Sequence, residues 1–419
     1  MAVSASSPRA IAPVTSITVV VIVASIVMSL SMGVRQSLGL FLPSVTSDLA
    51  IPTASFAFAL ALQNLVWGLS QPVLGALGDR YGARPVLVGS ALVYAAGLLL
   101  TATQGRYLGL DLGAGLLVGM GVAGTGFGVL LGAVARIVPA ERRSQTVGLV
   151  SAFGSVATLV IAPLGQWLIS TQGWRPALLV FAALAGSMAL IGLLIGPKPE
   201  APSGPAAAAP VSARAALAEA FAHPGYLAMT IAFFACGFQL MFITTHLPAY
   251  LALCGVPPTV SATALGVIGL CNAFGSYAAG LLGARFSPRK LLALIYLFRT
   301  LAIVCFLAVP ASPVTTLLFA GAMGFLWLSV APLVSSLIGR LFGVANFNML
   351  FGMAFLSHQV GAFLGSWLGG VTFDLTGSYG YAWGAMVVIG LSAFTVQWFM
   401  DDAPRPTPRG GFGPRLAPA

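Results

Sequence analysis

Acidic residues are nearly absent. The chain has 9 Asp and Glu in 419 residues, and charged residues of all kinds make up 7% of it. A soluble domain carries about 25%, so a water-exposed surface along the whole chain is excluded. Cysteine is equally scarce. Cys236, Cys254, Cys271 and Cys305 show no C-x-x-C spacing, and three of them fall in apolar runs. They read as small core residues, which excludes a disulfide framework. No cluster of His, Cys and Asp has metal-ligand spacing, and no catalytic constellation is visible, so the chain reads as no enzyme and as needing no metal or cofactor. No G-x-x-x-x-G-K-[ST] segment is present, which removes ATP drive from this chain. The glycines around 115–132 lack the strand–turn–helix setting that a dinucleotide loop needs. Residues 1–16 are polar and rich in Ala, Ser and Pro, without the pattern of a cleavable signal peptide.

What is present is apolar length. Hydrophobic residues make up 58% of the chain, and the mean hydropathy is +0.98. A bilayer core about 30 Å thick is crossed by roughly 20 apolar residues in a helix. In lipid every backbone polar group must be paired within the span or across a closed barrel. The runs here are too long for barrel strands of about 10 residues. Breaks between the runs predict twelve helices at 17–42, 54–78, 84–104, 108–136, 144–170, 175–196, 224–252, 260–284, 289–309, 313–339, 347–371 and 379–400. In the fourth, Gly124, Gly128 and Gly132 recur every four residues after Gly115 and Gly119, a pattern for close helix packing.

The expected fold is therefore an all-α membrane protein of twelve transmembrane helices in two six-helix, pseudo-symmetric bundles. Residues 1–16 form a tail, 17–196 and 223–400 the two bundles, and 401–419 a second tail. Between the bundles, 197–222 is Pro- and Ala-rich and too polar to span; its second part is a candidate surface helix. Of 19 Lys and Arg, Arg106 and Arg175 alone fall on the outer side and Arg35 and Arg299 lie within spans. The remaining fifteen are cytoplasmic if both termini and the linker are inside, which the positive-inside rule requires. The net charge of +10 thus follows membrane orientation in a plasma (inner) membrane and does not point to nucleic acid.

The halves repeat at an offset of 205. Gly75, Gly78, Arg80 and Arg84 after the second span match Gly280, Gly283, Arg285 and Arg289 after the eighth. Gly165 meets Gly370, and Thr171-Gln-Gly-Trp174 meets Thr376-Gly-Ser-Tyr379. Parallel six-helix repeats about an axis along the membrane normal are a transporter signature.

The segment Gly75-Ala-Leu-Gly78-Asp79-Arg80-Tyr-Gly82-Ala-Arg84 resembles the loop signature of the major facilitator superfamily, G-x-L-x-D-R-x-G-R-[RK], with Ala83 as its one departure; the C-terminal copy has Ala284 in place of the acid. The resemblance implies that Gly75, Gly78, Asp79, Arg80, Gly82 and Arg84 latch the halves on the cytoplasmic side in the outward-open state. Met32-Gly-Val-Arg35 through Pro43, Tyr296-Leu-Phe-Arg299 and Ser357-His358-Gln359 through Gly370 resemble bacterial members of the monocarboxylate-transporter-like branch, which includes oxalate/formate antiporter relatives. That branch carries a basic residue near the outer end of the first span, where Arg35 stands. Mammalian-type members also carry an Asp and an Arg four residues apart in the eighth span; this sequence has Asn272 and Ser276 there, so the resemblance does not reach proton-linked lactate transport.

An intramembrane charge costs roughly 2.5–3.5 kcal/mol to insert, which makes each one a functional candidate. Arg35 lies about 27 Å along the first helix, at 1.5 Å per residue. It is either an arginine snorkelling to the interface or a bidentate partner for a substrate carboxylate. Asp48, Asp111 and Asp374 lie at span ends or in loops, so Arg35 has no acidic partner visible in sequence. Arg299 is open between structural pairing and function. His246 and His358 are either packing residues or anion and proton ligands. Gln359 and Asn64 are cheaper polar groups that line a cavity or bridge helices. The expectation is a secondary transporter of a small organic anion, a mono- or dicarboxylate, working as a monomer by alternating access, with a coupled proton or counter-anion and with Arg35 as the carboxylate ligand. The alternative is an exporter of hydrophobic or amphipathic compounds, which the scarcity of membrane acids disfavours for cations.

Overall fold

The computed structural model describes residues 17–104, 108–126, 128–130, 157–196, 213–342 and 347–403, with scattered positions between 133 and 154. Among the described residues, eleven helices are long and apolar enough to cross a membrane. They are the first span Ile17–Leu49, second Thr53–Gly78, third Ala83–Gln104, fourth Gly109–Leu130, sixth Trp174–Gly192, seventh Pro224–Leu253, eighth Pro258–Gly283, ninth Pro288–Leu307, tenth Pro313–Phe342, eleventh Met349–Thr376 and twelfth Gly380–Phe399. The fifth is described as the helix Thr158–Gln172. A short helix, Ala213–Phe221, precedes the seventh span, and the rest of the linker lies outside the described residues.

Helix pairing follows the repeat. The first span lies against the fifth, the second against the fourth and the third against the sixth. The seventh against the eleventh, the eighth against the tenth and the ninth against the twelfth reproduce the same three pairs. Between the halves, the second span lies against the eleventh and the fifth against the eighth. Of the spaced glycines of the fourth span, Gly119 and Gly124 close against Gln63 and Ser90, whereas Gly128 makes only ordinary contact with Gln71; Gly113 and Gly121, off that spacing, pack as closely. A Cβ at Gly113 would collide with Thr101, at Gly121 with Tyr94 and at Gly124 with Ser90. Gly132 lies outside the described residues.

Three spans depart from the expected continuous helices, the fourth by widening into a π-helix over Gly109–Leu117 before an α-helix that ends at Thr125. The first continues past Ser37 through a tightened turn, Leu38–Phe41, into a helix Leu42–Leu49 that ends at Ala50 with φ 48°. Pro43 sits in the first turn of that helix, where its missing N–H costs nothing. The tenth is broken into Pro313–Phe325 and Val330–Phe342. Pro332 accounts for the break, because a helical Pro clashes with the carbonyl four residues before it, here Leu328.

Among the described residues, the seam between the halves is tight at one end. Gly370 meets the backbone of Ala54, Ser366 Oγ donates to the Ala57 carbonyl at 3.1 Å, and Gln359 Nε2 donates to the Asn64 carbonyl at 2.9 Å. Gly68 closes against Gln359. Gly75 lies seven residues past Gly68, and Gly352 seven before Gln359, so both stay on the facing stripes of their helices. Nothing lies within 4 Å of a Cβ added at either. The second and eleventh spans therefore diverge toward the end that carries Arg84 and close at the end that carries Asp374.

Candidate functional site

Arg35 sits where the two halves meet. It is half-buried, near the end of the straight part of the first helix. Its Nη2 donates to Asn64 Oδ1, and Met241 Sδ lies 3.3 Å from the same nitrogen. The guanidinium lies 4.6 Å from the centroid of the Trp67 ring, a cation–π contact. Asn64 and Trp67 are three residues apart and so share one face of the second span. Asn64 is oriented by its own Nδ2, which donates to the Leu60 carbonyl at 2.7 Å. Arg35 Nε is buried without a hydrogen-bond partner. The ion pairs among the described residues use other arginines, Arg175 with Asp48 and Arg289 with Asp402. A cation thus stands at the seam with no carboxylate beside it and one donor unspent.

A void of about 20 Å³ opens beside it, lined by Arg35, Gln36, Gly39, Leu60, Gln63 and Asn64 from one half and Met241, Thr244 and Thr245 from the other. That volume holds one water. The walls are polar on both sides of the seam, and Gly39 brings the first span onto the Thr244 carbonyl with no room for a side chain. An organic anion enters only if the halves part.

The structure brings Asn64 to Arg35, and Gln359 to the Asn64 backbone; the other expected ligands stand elsewhere. His246 is fully buried inside the C-terminal half. Its Nε2 donates to the Ser366 carbonyl at 2.6 Å, and its Nδ1 lies 3.3 Å from the Tyr379 hydroxyl. Tyr379 lies in the loop after the eleventh span, and burial, assisted by the nearby Asp374 carboxylate, pushes its phenol well above the ordinary value, so it stays a donor. Both ring nitrogens of His246 are therefore occupied. His358 is held between Phe233 and Phe355, with ring centroids at 4.9 and 5.4 Å, and its Nδ1 has no partner.

Arg299 is 0% exposed and serves the break in the tenth span. Its Nη2 donates to the carbonyls of Leu326, at 2.6 Å, and of Trp327. Asn272 Oδ1 accepts the Leu328 N–H at 2.8 Å from the eighth span. Helix ends leave carbonyls and N–H groups without partners, and a cation near the C-terminal end suits the dipole. Pairing with the broken tenth span occupies Nη2, while Nε and Nη1 are buried without a hydrogen-bond partner; what sets Arg35 apart is its place at the seam.

The loop motif closes as its glycines require. Gly82 adopts φ 90° between the second and third helices, and its N–H donates to the Gly78 carbonyl at 3.0 Å. Arg84 is exposed in the first turn of the third helix, and Gly75 has open space. The side chains of Asp79 and Arg80 lie outside the described residues.

Trp67, Met241, Thr244 and Thr245 escaped the reading of the sequence. Trp67 carried a signal, its spacing from Asn64. The other three acquire their place only when the halves pack together.

The Major Facilitator Superfamily model matches residues 23–327 and 254–418. Monocarboxylate transporter 13 of Rattus norvegicus is 29% identical over 357 residues, 84% of this chain and 81% of that protein. Monocarboxylate transporter 11 of Mus musculus is 31% identical over 373 residues, 86% of this chain and 82% of that one. The MFS-type transporter YhjX of Escherichia coli (strain K12) is 25% identical over 350 residues, 81% and 85% of the two chains. A bacterial homologue of the human lysosomal transporter Spinster, solved in an inward-facing and unoccupied conformation, superposes with a TM-score of 0.72 over 92% of this chain and 94% of that one, at 15% identity; the likeness is one of fold. With the paired six-helix halves, the loop motif and these relatives in agreement, the chain belongs to the major facilitator superfamily and is an integral membrane transporter.

Proposed function

We propose that the protein moves a small organic anion bearing a carboxylate by alternating access, and that Arg35 is its ligand. One observation carries this reading: a guanidinium at the seam, held by a neutral amide and an aromatic ring, with a buried Nε left unspent and no acid beside it. A buried donor without a partner costs about 1–3 kcal/mol, and more when charged. A carboxylate offsets that cost through a bidentate, charge-assisted pair. Gln36 and Gln63 line the void with neutral amides, while the hydroxyls of Thr244 and Thr245 already donate to the Leu240 carbonyl and to Ser366 Oγ. The names of the monocarboxylate transporters among its relatives agree with a carboxylate substrate.

The closed end of the seam is the outer one in this reading, and the Arg84 end, rich in arginine, faces the cytoplasm of the cell whose inner membrane holds the chain. The structure then corresponds to an outer-closed state, and the Asp79 loop latches the other end when it closes in turn. Thermal-shift measurements on the purified protein with acetate, lactate, oxalate and succinate, each set against its amide, test the substrate class. A carboxylate should raise the melting temperature by mass action, and its amide should not. Equal shifts with acid and amide, or shifts only with uncharged amphipathic compounds, would replace the anion reading with that of an exporter.

A further inference from the structure

The second span starts without a cap of its own. Pro52 precedes it and offers no side-chain hydrogen bond. The first N–H groups of a helix have no partner within the helix. Here the partner comes from the opposite half, 321 and 320 residues away. Thr53 N–H donates to Asp374 Oδ1 at 3.0 Å, and Ala54 N–H donates to Asp374 Oδ2 at 2.7 Å. One carboxylate spans two amides at the positive end of a helix, which is both a charge-assisted pair and a favourable dipole contact.

Asp374 lies in the last turn of the eleventh span, directly above the tightest part of the seam. One turn below it, Gly370 leaves no room against Ala54 and Ala57. That backbone approach and the carboxylate bonds form together or not at all, because both need the same register of the two helices. Of the other described acids at this end, Asp48 is spent within its own half on Trp174 Nε1 and Arg175, each at 3.0 Å, and Asp111 lies in the first turn of the fourth span. The repeat offers no second copy. The eighth span also starts after an uncapped Pro257, but the counterpart of Asp374 at the offset of 205 is Ile169.

We propose that Asp374 is the latch of this end of the transporter, capping the second span in trans while the end is closed and releasing it to open. The proposal rests on the alternating-access reading but not on the chemistry of the substrate. Asp374 is exposed, so on opening both the carboxylate and the two amides pass to water. The latch is then weak enough to be undone in every cycle. Its position opposite the Asp79 loop gives each end of the seam its own carboxylate.

The test uses the full chain in proteoliposomes, with its four cysteines replaced and Thr245→Cys as a reporter in the void beside Arg35. Labelling by a membrane-impermeant maleimide from the Asp374 side, without substrate, reads how often that end opens. Asp374→Ala should raise the labelling rate about fivefold, the ratio set by about 1 kcal/mol of cap energy. Asp374→Asn should fall between, because its amide oxygen still caps one N–H. An unchanged rate in Asp374→Ala, while Gly39→Ala opens the same reporter, overturns the latch. A lower melting temperature in Asp374→Ala with an unchanged rate makes the residue a plain structural cap and overturns it too. No labelling in any variant would overturn the alternating-access reading beneath it.

Discussion

Gly39→Ala should prevent the seam from closing. An added Cβ there would overlap the Thr244 carbonyl oxygen, with the Thr244 carbonyl carbon at 3.0 Å and Thr245 Cα at 3.2 Å. All three atoms belong to the backbone of the seventh span, so no side-chain rotation relieves the overlap. The overlap is with the seventh span, which belongs to the other half, and the alanine is better than glycine in a helical turn. The cost therefore falls on the contact between halves. Overpacking by one methyl costs typically about 1–3 kcal/mol, a shift of roughly 5- to 150-fold in the ratio of open to closed forms. The variant should express and melt near the wild-type temperature. It should also leave a reporter at Thr245→Cys open to labelling from the Asp374 side and turn over substrate at a small fraction of the wild-type rate. Normal turnover with an unlabelled reporter would show that the seam does not close as described.

Arg299→Met should destabilise the C-terminal half. Two carbonyls of the tenth span lose charge-assisted donors worth about 1.5–3 kcal/mol each, against relief of an insertion cost of about 2.5–3.5 kcal/mol. The net runs from about zero to about 3.5 kcal/mol of lost stability, and a methionine variant that melts well above the wild-type temperature would refute the pairing. His246→Ala should lower stability by on the order of 2–4 kcal/mol through the cavity and the orphaned Ser366 carbonyl, while anion affinity holds. Lost affinity at unchanged stability would put His246 on the substrate after all.

The sequence showed most of what depends on one helix at a time. Span count and the two halves follow from apolar length and an offset, and each has its counterpart in the structure; the glycine spacing of the fourth span marked Gly119 and Gly124 but not Gly113 and Gly121. Arg35 was visible as an unpaired cation, because an intramembrane charge stands out against apolar neighbours. The features that were hidden are those made between distant segments. Arg299 looked like a possible ligand until the broken tenth span supplied two carbonyls, although Pro332 marked the break. His246 looked available until Ser366 and Tyr379 claimed both nitrogens. Asp374 looked like a loop acid, since nothing local shows that it caps a helix more than 300 residues away.

Arg35 carries the substrate claim. Uptake of the carboxylate found by thermal shift, into proteoliposomes holding wild type, Arg35→Gln or Arg35→Lys, tests it most directly. Each hydrogen bond to a charged group is worth about 1.5–3 kcal/mol, so losing even one should weaken affinity at least about tenfold. Arg35→Gln should express well, since it sheds an insertion cost, and should not transport the anion. Arg35→Lys keeps the charge without the planar fork and should retain weak uptake. Wild-type affinity in Arg35→Gln would make Arg35 an interface arginine and contradict the account.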